Sequence, residues 1–116
     1  MAEKTTAERV IAALEDLKGV DIQCLDVRGV TTITDWMVIA SGNSDRHVKA
    51  LADSVLKQAR DDGMQVLGME GEKEGEWVLI DIGEVIAHVM LPRVRDFYKL
   101  EKLWSHGEEA DRKAES

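Results

Sequence analysis

Near the start of the chain apolar residues recur at helical spacing, at Val10, Ile11, Leu14 and Leu17, which predicts an amphipathic helix. Thr5 and Glu8 match a capping box in front of it, and Gly19 is the expected stop. Asp21 to Val27 reads as a short strand, with Arg28-Gly29 turning out of it and Thr31 to Asp35 as a polar connection. Trp36 to Ala40 is an unbroken apolar run, expected of a central strand covered on both faces. Ser41 to Asp45 then supplies N-cap residues in series, and Val48, Leu51, Ala52, Val55, Leu56 and Ala59 form a helical stripe ending near Gly63. Val66 to Met69 is the next strand, reached by a right-handed crossover of βαβ type.

The densest pattern runs from Glu76 to Met90, where two β-branched stretches flank one Gly-containing break. Val78 and Ile80, with Val85, Ala87 and Val89, make an aliphatic face suited to packing under helices. Trp77, Leu79, Asp81, Ile86, His88 and Met90 make a bulkier mixed face and are the candidate outer surface. The expected turn is Ile82-Gly83, which opposes Trp77 to His88 and Leu79 to Ile86 and lets the mixed faces coincide. A bulged three-residue turn with Gly83 in the left-handed position would slip the register by one residue. Trp77 as plain core of a sheet covered on both sides stays open, because large exposed apolar patches are uncommon on monomers. Pro92 suits the first turn of a last helix, with Phe97, Leu100, Leu103 and Trp104 available for packing. The pattern as a whole predicts one α/β domain of α+β-like arrangement, a mixed sheet of about five strands with flanking helices. The domain is expected over 1–104, and the aperiodic, charged stretch 105–116 is expected to be a disordered acidic tail.

Composition narrows what such a domain does. With 116 residues and 44% hydrophobic content the chain can bury a real core. It has no apolar run long enough to span a membrane and no basic, apolar leader, so a cytoplasmic location is expected. The lone cysteine, Cys24, forms no internal disulfide and is expected as a small buried apolar residue. A net charge of -8 repels phosphate backbones, which leaves little direct nucleic-acid contact and makes basic proteins the natural partners.

Catalytic chemistry finds few residues to work with. The Ser41-Gly42-Asn43-Ser44 turn lacks the Gly-Lys-Ser/Thr ending of a Walker loop but looks like the Gly-Ser turn of nucleotidyltransferases. Those enzymes need paired carboxylates for two metal ions; here Glu70 ends the next strand and Asp81 is the one further candidate. His47, His88 and His106 have no metal-ligand spacing, and His47 is expected in a half-exposed structural role. No cofactor and no enzyme activity are expected.

Several stretches together resemble the ribosomal silencing factor family, also called the Iojap or RsfS family. They are Leu17-Lys18-Gly19, Asp21-Ile22, Leu25-Asp26-Val27, Ile33-Thr34-Asp35, Ala40-Ser41-Gly42-Asn43-Ser44, Arg46-His47-Val48, Gly68 and Glu70-Gly71. Trp77-Val78, Asp81-Ile82-Gly83-Glu84-Val85-Ile86, His88-Val89-Met90 and Tyr98-Lys99-Leu100-Glu101-Lys102-Leu103-Trp104 continue the series. The resemblance implies a fold similar to nucleotidyltransferases without their activity, and a translation repressor in place of a catalyst. It implies binding to the L-fourteen protein of the large ribosomal subunit, which blocks an intersubunit bridge and prevents joining with the small subunit. By position it implies a binding surface of Trp77, Asp81, Glu84, His88 and Met90, with Tyr98, Lys102 and Trp104. The family often has Tyr and Asp where this chain has Ile82 and Glu84. Trp77 is then the expected anchor, flanked by Glu70, Glu72, Glu74 and Glu76 and by the hairpin acids. A small metal-dependent nucleotidyltransferase, or a dimerisation module forming a homodimer in the free state, are the alternatives.

Overall fold

The capping box forms as the pattern predicts. Thr5 Oγ1 accepts from the Glu8 N–H at 3.2 Å, and the Glu8 carboxylate accepts from the Thr5 N–H at 2.8 Å. Helix α1 (Thr6–Asp16) follows. The left-handed position after it falls one residue before the expected glycine, on Lys18, with φ 61°. The Lys18 and Gly19 N–H groups then donate back to Glu15 and Leu14, closing a Schellman motif. Gly19 serves by its lack of a side chain, since a Cβ there would crowd the Leu14 carbonyl. Leu17 falls off the end of the stripe and is exposed.

The structure, a computed structural model, describes residues 5–99 and residue 102. After α1 come β1 (Val20–Asp26), β2 (Trp36–Ser41), α2 (Asp45–Asp61), β3 (Gly68–Glu70), β4 (Trp77–Asp81), β5 (Val85–Met90) and α3 (Pro92–Tyr98). The strands form one sheet in the order β1-β2-β5-β4-β3. Only β2 and β5 run parallel; the other pairs are antiparallel. This is a single α+β domain on a mixed five-stranded sheet, as the alternation of periods predicts. The crossover through α2 carries the chain past two intervening strands to the far edge, where β3 is only three residues long.

Helices α1 and α2 cover one face of the sheet. Val10, Leu14, Val48, Leu51 and Val55 meet Val38, Val78, Ile80, Val85 and Val89 there, all 0 or 1% exposed. The aliphatic hairpin residues therefore pack where expected. On the opposite face a smaller cluster of Val27, Met37, Ile39, Met90 and Val94 lies partly under α3, with Trp77 packed against it.

The hairpin register differs from the expected one by two residues. Trp77 opposes Met90, Leu79 opposes His88 and Asp81 opposes Ile86. The turn is Gly83-Glu84, closed by the Ile82 N–H donating to the Val85 carbonyl at 2.9 Å. Gly83 has φ +91°, so the positive angle falls on the glycine and β-branched Ile82 is spared it. A two-residue slip preserves side-chain parity, so the mixed faces do coincide.

The acidic loop before β4 runs close against that strand at Gly71. Gly71 has φ +86°, and a Cβ built there would overlap the Trp77 carbonyl oxygen. Gly71→Ala should therefore cost about 2 kcal/mol of stability by denaturant unfolding, from the left-handed penalty plus a forced shift of β4. An alanine there as stable as the parent would show that this backbone approach is not required.

Candidate partner-binding face

Trp77 opens β4 at the end of the sheet where β5 runs through Leu91 into α3. The Leu91 N–H donates to the Glu76 carbonyl, and Pro92 at the first helical position starts α3 at once. Helix α3 is thus pinned beside Trp77, and Arg95 locks it there by donating to Ser41 Oγ at 3.0 Å in a buried contact. Tyr98 lies against Trp77 with ring centroids 5.0 Å apart, and Phe97 meets Tyr98 edge-on at 4.9 Å. Together with Glu76, Arg93 and Val94 these rings line an open cleft of about 420 Å³. Phe97 is 76% and Tyr98 55% exposed, whereas Trp77 is half-buried. A 3.4 Å ion pair between Arg93 and Glu76 crosses the rim.

Trp77 is also held from below. Its indole Nε1–H donates to His88 Nδ1 at 3.0 Å, on the central strand. His88 is 5% exposed, flanked across the sheet by apolar Ile39 and Leu79. Burial holds its pKa down at about 4, so the ring is neutral at pH 7 and Nδ1 has a lone pair to accept with.

Of the residues expected at the binding surface, the fold brings Trp77 and Tyr98 together. His88 and Met90 require correction as contacts. Both face the expected side of the sheet, but β5 is its middle strand, and the Val27, Met37, Ile39 and Val94 cluster encloses Met90 completely. Ile86 is buried on that face as well. Asp81 and Glu84 lie at the other end of the hairpin, roughly 13 Å along the strand from Trp77 at about 3.4 Å per residue. There they do structural work: Asp81 Oδ1 accepts from the Gly83 N–H, and the Glu84 carboxylate accepts from the Thr6 hydroxyl, tying the turn to α1. The acids therefore split between two ends and do not form a single flank. Lys102 is exposed, and Trp104 and the tail lie outside the described residues. Phe97, expected to pack inward, faces solvent. The signal that could have placed it is the adjacency of Phe97 and Tyr98 on so short a helix, where both cannot turn inward.

The turn at Gly42 is spoken for. Its N–H donates to Met90, the Asn43 N–H donates to His47 Nδ1 at 2.9 Å, and the His47 N–H donates to Ser44 Oγ at 3.1 Å. His47 Nε2 in turn donates to the Leu17 carbonyl at 2.8 Å, latching α1 to α2 in the structural role expected of it. These amides are not turned outward as a phosphate cradle. Asp81 is at the opposite end of the sheet from this turn, because Gly42 follows the Ser41–Met90 pair while Asp81 faces Ile86. Among the described residues no three His, Cys, Asp or Glu side chains stand together as metal ligands. Cys24, expected in the core, is exposed on edge strand β1, and partial desolvation together with the Asp26 charge raises its thiol pKa.

Comparison with known proteins gives this geometry its setting. A family model described as "Ribosomal silencing factor during starvation" matches residues 1–116. A ribosomal silencing factor from Chromobacterium violaceum is 51% identical over 94 residues, covering 81% of this chain and 77% of its own. A crystal structure of a Chromobacterium violaceum protein superimposes with a TM-score of 0.86 at 47% identity, covering 90% of this chain and 87% of that one. A mouse protein named "Mitochondrial assembly of ribosomal large subunit protein 1" is 32% identical over 107 residues, covering 88% of this chain and 46% of its own length. With a family match along its whole length and 51% identity to a curated member over 94 residues, this chain belongs to the family of ribosomal silencing factors.

Proposed function

We propose that this protein represses translation by binding the L-fourteen protein of the large ribosomal subunit, covering an intersubunit bridge and keeping the small subunit from joining. The observation that carries this reading is the aromatic cleft of Trp77, Phe97 and Tyr98 beside Glu76. Exposed aromatics over a rigid sheet are the usual make-up of an interface centre. Family membership directs that surface to the ribosome, and the large subunit appears in the name of the mouse relative. The excess of acidic groups suits a basic ribosomal protein, favouring encounter and orientation more than affinity. Asp81, Glu84, Lys102 and Trp104 belong to the proposal as outlying contacts, and Trp77 and Tyr98 as its centre. The protein acts by steric exclusion in the cytoplasm, without a catalysed reaction. No helix among the described residues is long and apolar enough to cross a membrane, and the Gly42 and Asn43 amides already donate to Met90 and His47.

Sedimentation with separated subunits tests this directly. The protein should travel with large subunits, and adding it before the small subunit should lower the yield of joined ribosomes. Raising salt should slow association more than it speeds dissociation, since steering by separated charges is screened within about 10 Å at 0.1 M. Equal binding to both subunits, or binding to neither, would falsify the assignment. Self-association that buries the cleft would instead point to a homodimer of the free protein.

A further inference from the structure

The hydrogen-bonding group of Trp77 is spent inside the protein. Its indole N–H reaches His88 Nδ1 at 3.0 Å, and the two rings sit 5.9 Å apart at 50°. They are diagonal neighbours across the β4–β5 pair, since Trp77 opposes Met90 and His88 opposes Leu79. The acceptor stands on the middle strand of the sheet, between β2 and β4, and is almost fully enclosed. Tyr98 closes the other side of the indole from α3.

We infer that His88 is a positioning residue for the partner-binding face: it fixes the orientation of the Trp77 indole before any partner arrives. The partner then meets an apolar plate set at one angle, with its N–H already satisfied, and recognises Trp77 by ring contact and not by a hydrogen bond to the indole. This rests on the reading of the cleft as a docking surface. It reassigns His88 from a contact to the support of one. The tautomer follows from the geometry, because Nδ1 accepts and the ring proton therefore sits on Nε2. A preset side chain need not be ordered on binding, an advantage of roughly two- to tenfold in affinity for one large ring.

The test begins with the free, full-length, ¹⁵N-labelled chain. Nuclear magnetic resonance should detect a scalar coupling across the N–H···N bond from Trp77 Nε1 to His88 Nδ1. His88 should show the Nε2–H tautomer. Trp77→Phe identifies the right signal among the three tryptophans. No coupling, or a proton on Nδ1, overturns the proposal without any His88 variant having to fold.

His88→Phe should then speed exchange of the Trp77 indole proton at least tenfold and weaken large-subunit binding about two- to tenfold. His88→Asn, whose side-chain oxygen can stand near the place of Nδ1, should recover part of both. Faster exchange with unchanged affinity overturns the positioning role. If Trp77→Ala binds as the parent does, the docking reading fails and positioning fails with it, and the coupling seen in the parent then marks the pair as structural only.

Discussion

Trp77→Ala should lose affinity for the large subunit by roughly thirty- to a thousand-fold, or about 2–4 kcal/mol, the span of a central interface residue. It should also lose stability, because Trp77 is neither a free anchor nor plain core. It is half-buried, packs against the Met37, Met90 and Val94 cluster, meets Tyr98 at a tilt and donates to His88. Truncating a fully buried tryptophan costs about 3–5 kcal/mol, so a half-buried one that also leaves His88 Nδ1 without its donor should cost about 2 kcal/mol. Against a typical total of 5–15 kcal/mol the variant stays folded, and its binding can be measured. Denaturant unfolding and sedimentation on the same preparation separate the two losses. A folded Trp77→Ala protein with parental affinity would place the residue in the core alone and move the interface elsewhere. Tyr98→Ala supplies the complement: Tyr98 is more exposed, so its truncation should lower affinity with a smaller change in stability.

The parts of this fold legible from the chain are those where local chemistry and periodicity agree. Thr5 and Glu8 cap α1 as their spacing requires, and the stripe from Val48 to Ala59 is buried along α2 except for Leu56, which is half-buried. The alternation in the hairpin correctly separated Val78, Ile80, Val85, Ala87 and Val89 from the mixed set. Strand order escaped it, and so did the depth of the mixed face. Periodicity assigns a residue to a side of the sheet, but whether that side is open depends on which strand is central. His88 and Met90 are buried because β5 pairs with both β2 and β4, a long-range fact with no local signature. The register slip has a local cause that was readable in principle: positive φ belongs on Gly83 and not on Ile82, which moves the turn one residue onward at each position. Asp81 and Glu84 show the same limit. Their charges suggested a partner, yet their first obligations are to the Gly83 amide and the Thr6 hydroxyl.

Acid should weaken this protein well above the pH where its carboxylates titrate, and His88 is the reason. Burial lowers its folded-state pKa to about 4 from an ordinary value of 6.5. Below 6.5 the unfolded chain therefore binds a proton that the folded chain refuses, and stability falls with pH until both forms are protonated below about 4. The linkage amounts to about 2 kcal/mol between pH 7 and pH 5, and about 3 kcal/mol once complete. Asp26 acts in a separate window. The Arg28 guanidinium and amide that hydrogen-bond it lower its pKa to about 2, so its contribution is present above the ordinary carboxylate value and is lost only as pH falls toward 2. Denaturant unfolding at pH 7, 6 and 5 should thus show a downward slope that His88→Asn largely removes, since asparagine has no proton to gain. Contributions from the other histidines are common to both proteins and cancel in the comparison. Protonation of the folded chain would also convert Nδ1 from acceptor to donor and expel the Trp77 indole, but only as pH falls toward about 4, so binding by folded parent should hold between pH 7 and 5 and weaken near 4. Parallel slopes for the two proteins would mean that His88 titrates normally and is solvated in the folded state, contrary to its enclosure between Ile39 and Leu79.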